Sequence, residues 1–367
     1  SAVPSALSIE KAADMIAGAE RPLVIAGRCG RLPGAFDALG SLASDCALPV
    51  VSGPALNIAS SHPMNLGFVT RSLLGSADVI LVLDAPVPWV PNAMQPAPLA
   101  KLIHIAHDPF FADYPLRSFA MDLAIAGDPV AAISLLHVAL RERLRNKRAI
   151  VDNRRRDIAD MRRRVDEDRA AFLARAASMR PIHPAFVAKA LNEVKAKDAI
   201  IVEELGAAFP FLDLDVPGTF VSGTSGALGM GLGQALGAKL AAPERQVIAT
   251  VGDGSYMFGV PSAAHFVAAA ENLPTLTMIL NNAQWGAVRR ATTAMYPDGL
   301  AAKANSLPIV DLTPSPAYEK IIEAFDGVGE KVEEPGKLVA AIGRALDKVA
   351  TGTPVTLNVI TRTRESK

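Results

Sequence analysis

Gln246-Val-Ile-Ala-Thr-Val-Gly-Asp-Gly-Ser255 and Thr275-Leu-Thr-Met-Ile-Leu-Asn-Asn282 are two nearly unbroken apolar runs, each ending in small or polar residues. Apolar runs without alternation are expected of strands buried on both faces, at the centre of a parallel sheet. Ligands of open parallel sheets bind beyond the carboxyl ends of the strands. Gly252-Asp253-Gly254-Ser255 and Asn281-Asn282-Ala283-Gln284 stand at two such ends. Together they offer a carboxylate, an amide carbonyl and backbone carbonyls, a hard oxygen set that suits magnesium and leaves positions for phosphate oxygens. Gly252 and Gly254 let backbone amides come close to a phosphate. The segment from Ser262 onward reads as a helix whose start adds a positive dipole end. Asp-Gly by itself is a common turn, so the competing reading is an ordinary loop pair at a sheet switch point.

The same pattern recurs outward from these runs. Ala199-Ile-Ile-Val202 reads as the first strand of this half and Pro354-Val-Thr-Leu-Asn-Val-Ile360 as its last. Earlier in the chain, residues 22–26, 48–51, 78–83, 101–105 and 123–126 read as strands, with helical spacing over 8–19, where Ser8 is the expected N-cap, and over 36–44. Strands alternating with helices predict doubly wound sheets. Residues 141–175 are crowded with Arg, Asp and Glu, which reads as a solvated helix with intrahelical ion pairs; the interleaved Asp157, Asp160, Asp166, Glu167 and Asp168 speak against a nucleic-acid arm. The expected fold class is α/β: two doubly wound parallel-sheet domains, residues 1–135 and 181–367, joined by a charged helical connector over 136–180.

Composition narrows the function classes. Of 367 residues half are hydrophobic, and 37 Lys plus Arg balance 37 Asp plus Glu, which leaves no electrostatic footprint for nucleic acid or an anionic membrane. Cys29 and Cys46 sit in no CxxC or metal-type cluster, so neither a disulfide framework nor a zinc site is expected, and a reducing cytoplasm fits best. No apolar run approaches the roughly 20 residues of a membrane helix, and no signal-peptide pattern is present. The sequence starts without Met, and Ser1-Ala-Val-Pro-Ser-Ala6 reads as passage from an upstream linker.

Gly252-Asp-Gly-Ser255 through Asn281-Asn282, preceded by Pro243-Glu-Arg-Gln-Val-Ile-Ala249, resembles the cofactor motif of the thiamin diphosphate (ThDP) enzymes of the acetolactate synthase and benzoylformate decarboxylase superfamily. The Asp253 to Asn282 spacing is slightly long for that group, and the extra residues are expected over 258–262, ahead of the helix. Arg21-Pro-Leu-Val-Ile-Ala-Gly27, His62-Pro63 with Leu66-Gly67, and Lys101-Leu-Ile-His-Ile-Ala-His-Asp-Pro109 resemble the middle domain of the same group, so the resemblance covers nearly the whole chain. It implies that Asp253, the Asn282 side chain and the Gln284 main-chain carbonyl bind Mg2+. Gly254, Ser255, Trp285 and Gly286 would lie along the diphosphate, and Gly206, Gly252 and Ala287 complete the implied cofactor contacts. In Ser225-Gly-Ala-Leu-Gly-Met-Gly-Leu-Gly233 the resemblance implies that the Gly226 carbonyl accepts from the aminopyrimidine. Leu228 would bend the cofactor so that its amino group reaches the reacting carbon, an enforced proximity; a plain core leucine is the alternative. Gly229, Gly233 and Gly237, four apart, read as close helix packing.

The implied activity is that of a lyase or carboligase acting on a 2-oxo acid, with decarboxylation through an enamine, in a homodimer or homotetramer whose site lies between subunits. In family order the chain starts at the middle domain, and the glutamate that protonates the cofactor ring belongs to the preceding pyrimidine-binding domain, so this chain is expected to be inactive alone. An acetolactate synthase-type transferase, a 2-hydroxyacyl-CoA lyase with Arg28 and Arg31 near the middle-domain site, and a non-catalytic cofactor-binding subunit or fragment stay open. Flavin is not expected, because Leu66-Gly67 runs on to Phe68-Val-Thr-Arg-Ser-Leu-Leu-Gly75 without the Gly-Met-His-Gly stretch of acetolactate synthases. Ala207, Ala208 and Ala291 also depart from those enzymes, and Arg289 and Arg290 form a basic pair that could meet an anionic group or make surface ion pairs. Glu203 and Glu204 either face the pocket or cap the strand end. Tyr256 could lie over the cofactor, His265 reads as a packed histidine rather than a base, and His183 as a helix-start residue.

Overall fold

The computed structural model describes residues 2–53, 55–114, 119–223, 227–304 and 309–363. It divides into two units, one comprising residues 1–168 with 214–218, the other 169–213 with 219–367. In the first, β1 (Pro22–Ala26), β2 (Val50–Ser52), β3 (Val79–Leu83), β4 (Lys101–Ala106) and β5 (Leu123–Ala126) form a parallel sheet in the order β2-β1-β3-β4-β5. β1 and β3 are buried at every position, as their unbroken apolar runs require. The flanking helices are α1 (Ala6–Gly18), α2 (Ala35–Cys46), α3 (Arg71–Ser76) and α4 (Pro129–Leu144), followed by α5 (Arg148–Ala176). α1 starts earlier than its sequence pattern predicts: Ser5, not Ser8, is the N-cap residue. The buried stripe begins at Ile9, and a helical turn ahead of it lets the Ile9 amide donate to the Ser5 carbonyl at 3.0 Å.

The charged stretch is helical as expected, and part of it is also core. Leu136, Leu140 and Leu144 of α4 and Val151 and Ile158 of α5 are buried with the first sheet. Farther along α5, Arg163 is solvated and pairs within the helix with Asp160 and Glu167, whereas Arg162 donates out of the helix to the carbonyls of Ser60, His62 and Asn65 at 3.0, 3.2 and 2.9 Å.

The second unit holds α6 (Pro184–Val194), β6 (Ile200–Glu204), β7 (Phe220–Ser222), α7 (Met230–Ala241), β8 (Val247–Gly252), α8 (Asp253–Phe258), α9 (Pro261–Ala270), β9 (Leu276–Asn281), α10 (Gly286–Met295), α11 (Leu300–Lys303), β10 (Val328–Val332), α12 (Pro335–Ala350) and β11 (Val355–Ile360). Its strands are all parallel, in the order β10-β11-β9-β8-β6-β7. β8 and β9 are central and almost wholly buried. The edge strands β7 and β10 have no counterpart in the sequence reading. β7 has only three residues, and β10, Val-Gly-Glu-Lys-Val, is half polar, as solvated edges are. His183 is the N-cap of α6, its ring accepting from the Ala185 amide at 3.1 Å. No helix among the described residues is long and apolar enough to cross a membrane.

Candidate cofactor and metal site

Strand alternation separates the two asparagines at the end of β9. Asn281 is buried and structural: its amide donates to Ser315 Oγ at 2.9 Å and Asn358 Oδ1 at 3.1 Å, and its oxygen accepts from the Ala283 amide at 3.0 Å. Asn282 points the other way, and its Oδ1 accepts from the Gln284 amide at 3.1 Å. The loop that follows is fixed from outside. The Trp285 amide donates to the Val310 carbonyl at 2.8 Å and the Leu312 amide to the Ala283 carbonyl at 2.7 Å, so residues 310–312 run alongside it like a strand.

β8 ends at Gly252 and α8 starts at once, with Gly252 as its N-cap. This corrects the expectation of a helix from Ser262 onward as the one beside the motif: α9 begins at Pro261, and Gly259 and Val260, the latter at a φ of 49°, break the chain between the two helices. Because Asp253 is already helical, Tyr256 turns into the core instead of over a cofactor. It is fully buried, its hydroxyl 2.7 Å from His265 Nε2 and its ring edge-on to Tyr318. Burial pushes His265 down to about 4, so it is a neutral core residue at physiological pH.

A cavity of about 360 Å³ opens at the carboxyl ends of β6, β8, β9 and β11. Leu228, Gly252, Asp253, Gly254, Ser255, Asn282, Gln284, Trp285, Gly286 and Ala287 line it, together with Leu205, Arg290, Ala291 and Arg362. Ten of the implied site residues are thus brought together. Gly206 is not among the lining residues; a Cβ there would fall 2.3 Å from the Thr250 backbone, so this glycine serves the close approach of the loop after β6 to β8, and Leu205 takes its place at the cavity. Gly226 lies outside the described residues. The expectation of close helix packing at Gly229, Gly233 and Gly237 also needs correcting. Gly233 and Gly237 face open space; Gly229 does sit close, a Cβ there falling 3.0 Å from Gly259 Cα, and also supplies a φ of 90° at the start of α7, while Gly231 is packed tighter still, where a Cβ would meet Val251 Cγ1 at 2.7 Å. Gly254 lies under an indole: a Cβ there would stand 2.4 Å from Trp285 Cε3.

The polar groups of the cavity are unfinished. Asp253 Oδ1 accepts from the Gly254 amide at 3.0 Å, while Asp253 Oδ2, Ser255 Oγ and Gln284 Oε1 are buried with no hydrogen-bond partner. Such groups are normally satisfied, and a bound cation and phosphate oxygens would satisfy them. Burial pushes the Asp253 carboxyl up to about 6 against a usual 3.8, as expected of a buried acid without a countercharge. The donor set and the empty valences therefore fit a divalent cation and a diphosphate. The Gln284 main-chain carbonyl, implied as third ligand, accepts from the Gly286 amide at 2.8 Å and keeps a second lone pair.

Glu204 is the residue whose role the sequence left undecided. Its carboxylate is buried and turned away from the cavity, bridging the Gly229 and Gly231 amides at 2.5 Å each. It thereby caps the N-terminus of α7, where a negative charge is favoured, and fixes Gly229 immediately after the cavity-lining Leu228.

Comparison with known proteins matches both domains of the chain. Residues 205–359 match the thiamine pyrophosphate enzyme C-terminal TPP binding domain, and residues 9–136 match the central domain of the same enzymes. A probable acetolactate synthase of Mycobacterium bovis is 28% identical over 98% of this chain and 62% of its own length. A 2-hydroxyacyl-CoA lyase of Oryza sativa subsp. japonica is 26% identical over 96% of this chain and 61% of its own. The Rhodococcus jostii RHA1 thiamine diphosphate-dependent 4-hydroxybenzoylformate decarboxylase superposes with a TM-score of 0.77 at 23% identity, covering 100% of this chain and 66% of that one, and shares the fold. The chain thus spans about three fifths of the length of these curated relatives. With both domains matched in order and the motif residues gathered in one cavity, the chain belongs to the thiamine pyrophosphate enzymes, of which it carries the central and the C-terminal TPP-binding domains.

Proposed function

We propose that this chain is the cofactor- and metal-holding part of a ThDP- and Mg2+-dependent lyase or carboligase acting on a 2-oxo acid. The observation that carries the reading is the trio of unpartnered buried atoms, Asp253 Oδ2, Ser255 Oγ and Gln284 Oε1, on residues that line one cavity at the ends of two central strands. When bound, ThDP supplies the electron sink for cleaving the bond next to a 2-oxo acid carbonyl. Asp253, Asn282 and the Gln284 carbonyl hold the magnesium ion, and Ser255 and the Gly254 and Gly286 backbone receive the diphosphate. Leu228 keeps the cofactor bent, and Glu204 holds the segment that carries it. Among the described residues no glutamate lines the cavity, so the acid that protonates the cofactor ring comes from another domain or from a second subunit of a homodimer or homotetramer. Cleavage of a 2-hydroxyacyl-CoA is the second reading, favoured by the rice relative named above.

Titration calorimetry of the full-length protein with ThDP, with and without Mg2+, tests the binding half of the proposal. A screen of 2-oxo acids for carbon dioxide release, with pyruvate and a 2-hydroxyacyl-CoA alongside, tests the reaction. Absence of magnesium-dependent ThDP binding would sink the whole reading. Acetolactate formation from pyruvate as the best reaction would move the protein to the transferase branch.

A further inference from the structure

The cavity holds more positive charge than the motif alone accounts for. Among the described residues its only lining acid is Asp253, whereas Arg290 and Arg362 both line it. Arg289, the neighbour of Arg290 in sequence, does not. The difference follows from helix geometry. Side chains on a helix lean toward its N-terminus and cover the turn before their own. Arg290 is one turn into α10, and the residue it leans over is Gly286. With no side chain in the way, its Nη1 lies 3.5 Å from where a Gly286 Cβ would stand, and Asn282 Nδ2 lies 3.1 Å from the same point. The guanidinium and the Asn282 amide group therefore both border the gap that Gly286 leaves. No carboxylate pairs with it among the described residues.

We infer that Arg290 is an anchor for the anionic group bound beside the metal, the terminal phosphate of the cofactor's diphosphate. This rests on the ThDP reading above. A guanidinium matches phosphate oxygens with two parallel donors, and its position next to Asn282 puts it at the metal end of the cavity rather than at the Leu228 end. Together with a divalent ion at Asp253, it adds cationic charge where a diphosphate brings its negative charge. The basic pair seen in the sequence thus divides: Arg290 faces the cofactor, and Arg289 lies outside the lining.

Calorimetry on the full-length protein in Mg2+ tests this with two probes, ThDP and inorganic pyrophosphate. Arg290→Met is expected to weaken both by about tenfold or more and to reduce the salt dependence of binding, with Arg290→Lys in between, because a point charge keeps the attraction but not the fork. Arg289→Gln, as control, is expected to stay within about twofold. Unchanged affinity for both probes in Arg290→Met, or equal losses in the two single variants, would overturn the assignment. An unchanged ThDP affinity with a raised KM for the 2-oxo acid would overturn it too, by giving the guanidinium to the substrate carboxylate. Failure of the unaltered protein to bind ThDP with Mg2+ would instead remove the cofactor reading beneath it, an outcome distinguishable from the others.

Discussion

Each parallel sheet carries a buried polar side chain at its carboxyl end, and the two are treated in opposite ways. In the first unit Asn57 is completely buried and saturated. Its oxygen accepts from the Gly30 amide at 2.9 Å, and its amide group donates to the carbonyls of Ala26, Gly27 and Ala55 at 3.0 Å each. In the second unit Asp253 is equally buried, yet its Oδ2 has no hydrogen-bond partner, and Ser255 and Gln284 beside it each leave an oxygen open. A satisfied buried network holds a loop rigid, whereas an unsatisfied one is costly and persists only where something else completes it. The difference marks which strand ends are scaffold and which are site.

The sharpest way to break that contrast is Asp253→Asn. Removing the only carboxylate of the metal set is expected to weaken magnesium-dependent ThDP binding by about a hundredfold or more, roughly 3 kcal/mol, read by calorimetry. The unliganded variant should meanwhile be no less stable than the parent in thermal unfolding; a marked loss would make Asp253 a structural residue. Asn57→Ala should do the reverse. Leaving one donor and three acceptors of the backbone without their partner is expected to destabilise the first unit by about 3 kcal/mol in chemical denaturation, with little direct effect on ThDP affinity. An unaffected midpoint would refute the scaffold role.

Glu204→Gln probes the boundary between the two behaviours. It keeps one acceptor but loses the charge at the start of α7, and a destabilisation of about 2 kcal/mol is expected, accompanied by weaker ThDP binding because Leu228 loses its anchor. Loss of stability without any change in affinity would confine Glu204 to the fold. The effect of pH is smaller. Burial holds Asp253 near 6, above its usual 3.8, so both folded and unfolded chains are protonated at the low end and the group has no effect there. As pH rises from 3.8 through about 6 the unfolded chain loses the proton first, so stability declines over that window and stays reduced at neutral pH. Magnesium needs the ionised carboxylate, so its affinity should fall by about tenfold per pH unit below that value; a flat profile from neutral pH to pH 5 would contradict the assigned ligand. The smallest effect is expected on the solvated face of α5, where Arg163→Ala, breaking its exposed pairs with Asp160 and Glu167, should change stability by less than about 0.5 kcal/mol.

Much of this was legible in one dimension. The unbroken apolar runs of β1, β3, β8 and β9 announced central parallel strands, because only strands covered on both faces can be apolar throughout. The residues after β8 and β9 announced oxygen chemistry, because a carboxylate, amides and glycines at two neighbouring strand ends have few other uses. What the sequence could not contain was direction and partnership. That Asn282 faces the cavity while Asn281 joins Ser315 and Asn358, that Tyr256 turns to His265, and that Glu204 bends to the α7 amides depend on partners between nine and 77 positions away. Gly206 read as a ligand-side glycine until the Thr250 backbone filled the space beside it, and Gly233 and Gly237 read as helix-packing glycines although it is Gly231 that meets Val251. Likewise nothing in a pair of adjacent arginines distinguishes one from the other; the lean of a helical side chain over Gly286 does. Composition and periodicity are set residue by residue, and so the chain itself determined the fold class and the chemistry on offer. Which atoms are left open to use that chemistry is decided only when distant segments pack, because a buried polar group is free or satisfied according to what the rest of the fold places against it.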